Sequence, residues 1–198
     1  MAKVIEEFDS MSIANASIQF KKKGTQEPGT KFGCVGTIEG EPEIKEMKKV
    51  CGGVTLKKKS KTTEIKVTVS AHVPVKVVRD IFGFDTAGLK PGIWAYGTES
   101  KGYNFVFTAD VVDDFEDVVK LIAFPNCANS SGFKFSIASG EEELAMMELE
   151  FTALPDDLKK FYYEAFVDEV TDATVAQKWH TQFNATLVKA TTPAPEKL

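Results

Sequence analysis

Residues that carry chemistry are scarce in this chain. Its 198 residues include only two histidines, His72 and His180, and three widely spaced cysteines, Cys34, Cys51 and Cys127. Neither histidine belongs to an HExxH, to a Cys/His cluster of zinc spacing or to a GxSxG elbow. GxGxxG and GxxxxGK[ST] are also missing, and Gly52-Gly53 lacks the Gly-Lys pair that a phosphate loop needs. An odd number of cysteines without a CxxC predicts free thiols in a reducing compartment, not a disulfide framework. There is no excess of positive charge: the net charge is −5 and the pI about 5.2. Tight non-specific binding to nucleic acid needs a basic surface that releases counterions, so it is not expected. No apolar run approaches the roughly 20 residues that cross a bilayer. The opening MAKVIEEFDS has acidic residues and no apolar h-region, which predicts a soluble protein made in a cytoplasm.

What the chain does have is ordinary globular material: 43% hydrophobic residues, 27% charged, and 15 phenylalanines for a core or for subunit contacts. A chain of this length buries roughly 70% of its unfolded surface, enough for one domain. The pattern divides into an N-terminal arm over 1–14, a single β domain over 15–188 and a tail over 189–198.

Alternation predicts strands over 16–22, 64–73, 103–111 and 133–137; 31–39 (with bulges at Gly33 and Gly36) and 118–124, whose mixed pattern does not define a buried face, also read as strands. The clearest is 64–73, with Ile65, Val67, Val69, Ala71 and Val73 on one face and Lys66, Thr68, Ser70 and His72 on the other. Glu41 to Val50 is ambiguous between strand and helix. Pro74 opens a short helix ending at Gly83, with Val75, Val78, Ile81 and Phe82 on its apolar side. Ile93 to Tyr96 reads as the start of a strand, and 125–132 as a loop. Leu144 and Met146 alternate out of phase with Leu149, Phe151 and Ala153, which predicts a bulge near Met147. Phe161 to Val170 reads as a buried strand. Residues 173–183 read as a helix capped by Asp172 or Thr171. Many strands and few short helices make the expected fold mainly β, an antiparallel sandwich or barrel with one or two flanking helices.

The run Gly83 to Gly97, GFDTAGLKPGIWAYG, packs glycine, proline, tryptophan and tyrosine into one tightly specified loop. Together with LIAFPNCANSSGF, MELEFTALPD and FYYEAFVDE, it resembles the major tail (tail-tube) proteins of long, non-contractile-tailed phages of Gram-positive bacteria. The resemblance runs through roughly the second half of the chain and is weaker before Pro74. It implies a tail-tube-like β-sandwich with a flanking helix, subunits in hexameric rings stacked into a hollow tube, and a genome leaving through the hole. It further implies assembly around a tape-measure protein, contacts with a tail terminator and a baseplate, and residence in the virion after assembly in the host cytoplasm. It implies no catalytic residue, cofactor or metal.

On that expectation the charged loops are candidate contacts between rings. Lys57, Lys58, Lys59 and Lys61 form a basic run, read as the tip of a hairpin. Asp113, Asp114, Glu116 and Asp117 form an acidic tip, and Glu141 to Glu143 another. Lys66, Thr68, Ser70 and His72 are the candidate lumen face, where a neutral or acidic wall lets DNA pass without sticking; Lys66 departs from an acidic lining. Trp94 and Tyr96 are candidate interface or loop anchors. The alternative reading is a monomeric β-sandwich that binds carbohydrate or a receptor through exposed aromatics, namely Trp94, Tyr96 and Tyr103.

Overall fold

The computed structural model describes residues 4–113, 115, 117–135 and 146–190. Its strands are β1 (Ser12–Lys22), β2 (Thr25–Gln26), β3 (Thr30–Lys31), β4 (Cys34–Cys51), β5 (Val54–His72), β6 (Asn104–Asp113), β7 (Val118–Asn129), β8 (Met147–Ala153) and β9 (Tyr163–Phe166). Three short helices join them: α1 (Val75–Phe82), α2 (Ala173–Lys178) and α3 (Ala185–Val188). The protein is mainly β, as expected. All pairings are antiparallel, in the order β2-β1-β6-β7-β8-β5-β4, with β3 on β1 and β9 on β7.

The sheet curls into a sandwich-like shell, and β4 returns close to β1. Its inner face is set by alternation. Ile18 and Phe20 from β1, Phe105 and Phe107 from β6, Val67 and Val69 from β5 and Phe151 from β8 meet in one core. Phe107 stands 4.9 Å from Phe32 and 5.6 Å from Phe151, ring centre to ring centre. Helix α1 closes one end of that core with Val77, Val78, Ile81 and Phe82, while Val75 points out to solvent. The buried stripe thus starts at Val77, two positions after the expected Val75.

A second apolar cluster lies on the outer face of β6 and β7. Val106, Leu121 and Ala123 are covered there by Trp179 and Phe183. Asp172 caps α2 by accepting the Thr174 amide at 2.9 Å, but the helix stops at Lys178. The expected helix over 173–183 is therefore cut short, and Trp179 to Phe183 form a strap pressed on the sheet. Trp179 Nε1 donates to the Ile122 carbonyl at 3.0 Å.

Other differences have local causes. Strand β7 continues into the expected loop at 125–132 as far as Asn129, because its register against β6 shifts between Phe107↔Phe124 and Phe105↔Cys127. That bulge accommodates Pro125, which no regular ladder position would accept. It also lets β7 change partner, from β9 at residues 120–123 to β8 at residues 127–129. Phe133 and Phe135 alternate without forming a strand. Phe133 instead packs on Phe82 and Phe84 at 5.3 and 5.0 Å as an aromatic plug.

Residues 93–96 contribute only a single bridge, Asp85↔Ala95. The expected bulge near Met147 is absent from the described part of β8, whose register with β5 is unbroken from Met147 to Ala153. Strand β9 is four residues long, half-buried, and shorter than the run Phe161 to Val170 suggested. Ile137, Glu141 to Leu144, Asp114, Glu116 and residues 191–198 lie outside the described residues. Residues 4–11 run along the body: Phe8 packs edge-on against Phe166 at 5.3 Å.

Trp179 is 1% exposed and joins the strap to two strands. Trp179→Ala is expected to lower stability by about 3–5 kcal/mol, the usual range for emptying a buried tryptophan site. Urea unfolding followed by far-UV circular dichroism measures it.

Candidate assembly surface

Strands β4 and β5 form a hairpin far longer than the core requires. Its turn is Gly52-Gly53, flanked by the pair Cys51↔Val54, with φ of 57° and 78°. Two successive positive φ values make the two-residue turn whose twist matches a hairpin, and glycine adopts them without strain. The run Lys57 to Lys61 is therefore not the tip, as expected, but part of the β5 shaft. The ambiguous segment Glu41 to Val50 is strand, held by its pairing with β5.

Paired residues share a face; the register shift at Glu43/Ile44 leaves Thr63 of β5 unpaired, while β4 itself alternates from Thr37 to Lys49, so the register sorts the side chains. Near the body, the face turned away from the core carries Glu39, Glu41 and Glu43 on β4 and Glu64 on β5. Strand β8 extends it with Glu148 and Glu150, opposite Ser70 and Thr68. Farther out, the same face carries Lys45 and Lys49 on β4, paired with Lys61 and Lys57, and the row Met47↔Lys59 lies between them. One face thus changes from acidic to basic at Ile44. The opposite face of the outer half is mixed: Lys48 and Lys58 both reach Glu46.

The candidate lumen residues Lys66, Thr68, Ser70 and His72 all lie on the acidic half of this face. Lys66 is ion-paired with Glu43, and that hydrogen bond raises its pKa, with Glu64 and Glu41 acting in the same direction. Lys134 reaches Glu150 at 2.6 Å. Sequence reasoning treated Lys66 as a departure from an acidic wall; the register places it among carboxylates that neutralise it.

The acidic tip at 113–117 has a different character. Asp113 is 2% exposed, and its carboxylate accepts the Asp9 and Phe115 amides at 3.0 Å each. It fastens the N-terminal arm to β6, while Asp117 is exposed in the turn. Tyr96 stacks near Phe84 and Phe133, and Trp94 lies 4.3 Å from the Arg79 guanidinium. Both therefore anchor the loop and leave one side to solvent. Trp94 and Tyr103 line a shallow pocket of about 470 Å³ with Arg79, Asp80 and Glu99; Tyr96 is not part of it.

Sequence reasoning missed a polar network beneath the strap. His180 Nδ1 lies 2.9 Å from Thr108 Oγ1, and Nε2 lies 2.7 Å from Asp110 Oδ1. A hydroxyl, an imidazole and a carboxylate in a row invite comparison with a nucleophilic triad. Here Thr108 is completely buried, and Asp110 is further tied to Asn15 at 2.6 Å. A hydroxyl closed off from substrate cannot attack one, so the row positions the strap. The polar parity of Ser17 and Gln19 on β1, and of Thr108 and Asp110 on β6, was the available signal.

No group of three or more metal-ligating side chains occurs among the described residues, and no described helix is long and apolar enough to cross a membrane. Compared with known proteins, the chain matches no family model and no curated relative.

The hairpin's two ends carry exposed thiols, Cys34 and Cys51, whereas Cys127 is fully buried and burial pushes its thiol pKa far up. Titration with a thiol reagent on the native protein is expected to label Cys34 and Cys51 quickly. Cys127 is expected to react only after denaturant is added.

Proposed function

We propose that this chain is a structural subunit of the tail tube of a long, non-contractile-tailed phage. Its copies assemble as hexameric rings that stack into a conduit for the genome. The observation that carries this reading is the hairpin. Ile44, Met47, Val50, Val54 and Leu56 are each more than half exposed along it. A two-stranded ribbon is only marginally stable in water by itself, and its open edges offer hydrogen bonds to further strands. Apolar side chains on such a ribbon gain burial only when another chain covers them. Strand pairing between neighbours closes the edges, and closure into a ring removes them.

The acidic half of the outer face supports the conduit role. A wall rich in carboxylates makes few phosphate contacts, so passing DNA is repelled and not trapped. On this reading the tape-measure protein, the tail terminator and the baseplate are the partners, the virion is the location, and no residue is catalytic. The pocket beside Trp94 and Tyr103 favours the second reading, a monomeric module that binds a carbohydrate.

Electron microscopy of negatively stained, purified protein separates the two. Tubes or six-fold rings are expected. Uniform single particles that retain a sugar would overturn the tube reading.

The triple substitution Val50→Asp, Val54→Asp and Leu56→Asp is expected to abolish tubes. Full burial of such side chains contributes about 1.5–3 kcal/mol each. The concentration needed for assembly should therefore rise at least about a hundredfold. Because all three are exposed in the monomer, its melting temperature should stay within a few degrees of wild type.

A further inference from the structure

The charge order along the hairpin is self-complementary. From the body outward, the outer face of β4 reads Glu39, Glu41, Glu43, then Lys45, Met47, Lys49. Each half spans four residue steps, roughly 14 Å. The partner strand repeats the change, with Glu64 on the near side of Ile44 and Lys61, Lys59 and Lys57 beyond it. Lys45, Lys49, Lys57, Lys59 and Lys61 make no ion pair with any described residue, although Lys48, Lys58 and Lys66 on the same hairpin all do. The basic half is thus left unmatched among the described residues, and the matching surface is the acidic half of a second copy.

From this we infer that two copies pair face to face through their hairpins, about a two-fold axis at Ile44 that crosses the strands. This rests on the tube reading only in treating the hairpin as an assembly element. The operation lays β4 over β4 and β5 over β5 in opposite directions. Glu43 then faces Lys45 of the second copy, Glu39 faces Lys49, and Glu64 faces Lys61. Lys57 of the second copy comes over Thr68, beside Glu150 on β8. The middle row sets Lys59 over Lys66, whose charge Glu43 already offsets, and places Met47 over Glu41. The contact is isologous, so it closes at two copies, whereas a tube needs contacts that propagate. The pair therefore occupies the hairpins of free subunits and competes with polymerisation. Its attraction is electrostatic and largely solvent-exposed, so salt governs it: the screening length falls from roughly 10 Å at 0.1 M to 3 Å at 1 M.

Sedimentation velocity of the full chain at one protein concentration tests this. At low salt a two-subunit species is expected, giving way to single subunits near 1 M salt, with a weakening of at least about tenfold. The triple Lys45→Glu, Lys49→Glu, Lys61→Glu should remain single at low salt, and so should Glu39→Lys, Glu43→Lys, Glu64→Lys. An equimolar mixture of the two should regain the two-subunit species, because each reversed face now matches the other. If a triple unfolds, its glutamine counterpart should show the same loss of pairing. Single subunits of wild type at low salt would overturn the inference, as would pairing that survives either triple or a mixture that stays single. Retention of duplex DNA that the lysine triple abolishes would reassign the basic half to nucleic acid and also overturn it. Tubes without low-salt pairs would sink the pair and leave the tube reading standing; pairs without tubes under any condition would do the reverse.

Discussion

The root of β5 holds the rest of the molecule in place. Val67, Val69 and Ala71 are essentially unexposed, and β8 pairs with them residue for residue through Phe151, Leu149 and Met147. Seven ladder positions and three core side chains fix the direction of the strand before it leaves the body. The outer ten or so residues then need no core of their own to be aimed. Since strand pairing is cooperative along a ribbon, β4 inherits the same direction through its pairing with β5 from Cys34 to Cys51, which register shifts at Val35/Thr37, Glu43/Ile44 and Lys49/Val50 do not break off. A side chain's place on the acidic or the basic half follows from that register alone. A one-residue slip would exchange the faces and turn the glutamates into the core, which the buried valines forbid.

The strap solves a different problem. Strands β6 and β7 are buried on both faces, which an antiparallel sheet achieves only when something covers its outside. The cover is partly apolar, through Trp179 and Phe183, and partly polar, through Ser17, Gln19, Thr108 and Asp110. Every polar member has a partner. Gln19 exchanges bonds with the Trp179 carbonyl at 3.2 Å and the Phe183 amide at 2.8 Å, and Ser17 donates to the His180 carbonyl at 2.7 Å. Gly29 makes the approach possible, since a Cβ there would stand 1.8 Å from the His180 carbonyl oxygen. A fully satisfied network specifies one docking position, whereas an apolar cover alone tolerates sliding. Whatever the hairpin does in an assembly, the body that carries it is rigid where the strap crosses.

How much of this was legible depended on whether a residue's role is local. The alternation of Val67, Val69 and Ala71 announced both the strand and its buried face, and Tyr103 to Val111 did the same for β6. The Asp172 cap and the stop at Gly83 were equally local, and both were readable. Pro125 misled because its tolerance depends on a bulge created by pairing with β6, which no window of sequence contains. Phe133 and Phe135 misled because period two marks an exposed aromatic plug as readily as a strand. The lysine run read as a turn, since four lysines carry no apolar period; only pairing with β4 makes it strand. For the same reason the division of one face into acidic and basic halves was invisible, being a property of two strands and their register.

That division bears on how an open edge avoids indiscriminate pairing. Strand β4 ends the sheet, and along its outer half no described residue covers it. Exposed β edges invite indiscriminate pairing, and lysine is the residue most often placed to discourage it. Here lysines alternate with glutamates and with Ile44, Met47 and Val50, so the ribbon is neither uniformly repulsive nor uniformly adhesive. A like copy sliding past in the wrong register sets lysine over lysine or glutamate over glutamate. In the right register the rows of Glu39, Glu43 and Glu64 meet Lys49, Lys45 and Lys61. Exposed pairs contribute only about 0–1 kcal/mol each, so a single pair holds nothing, but summed over a row at low salt they favour the aligned copy and reject misaligned ones. Charge then selects the register of a weak, salt-sensitive pair, and the exposed apolar residues are left for stronger contacts, two jobs that one hairpin can do only because its register keeps them on assigned positions.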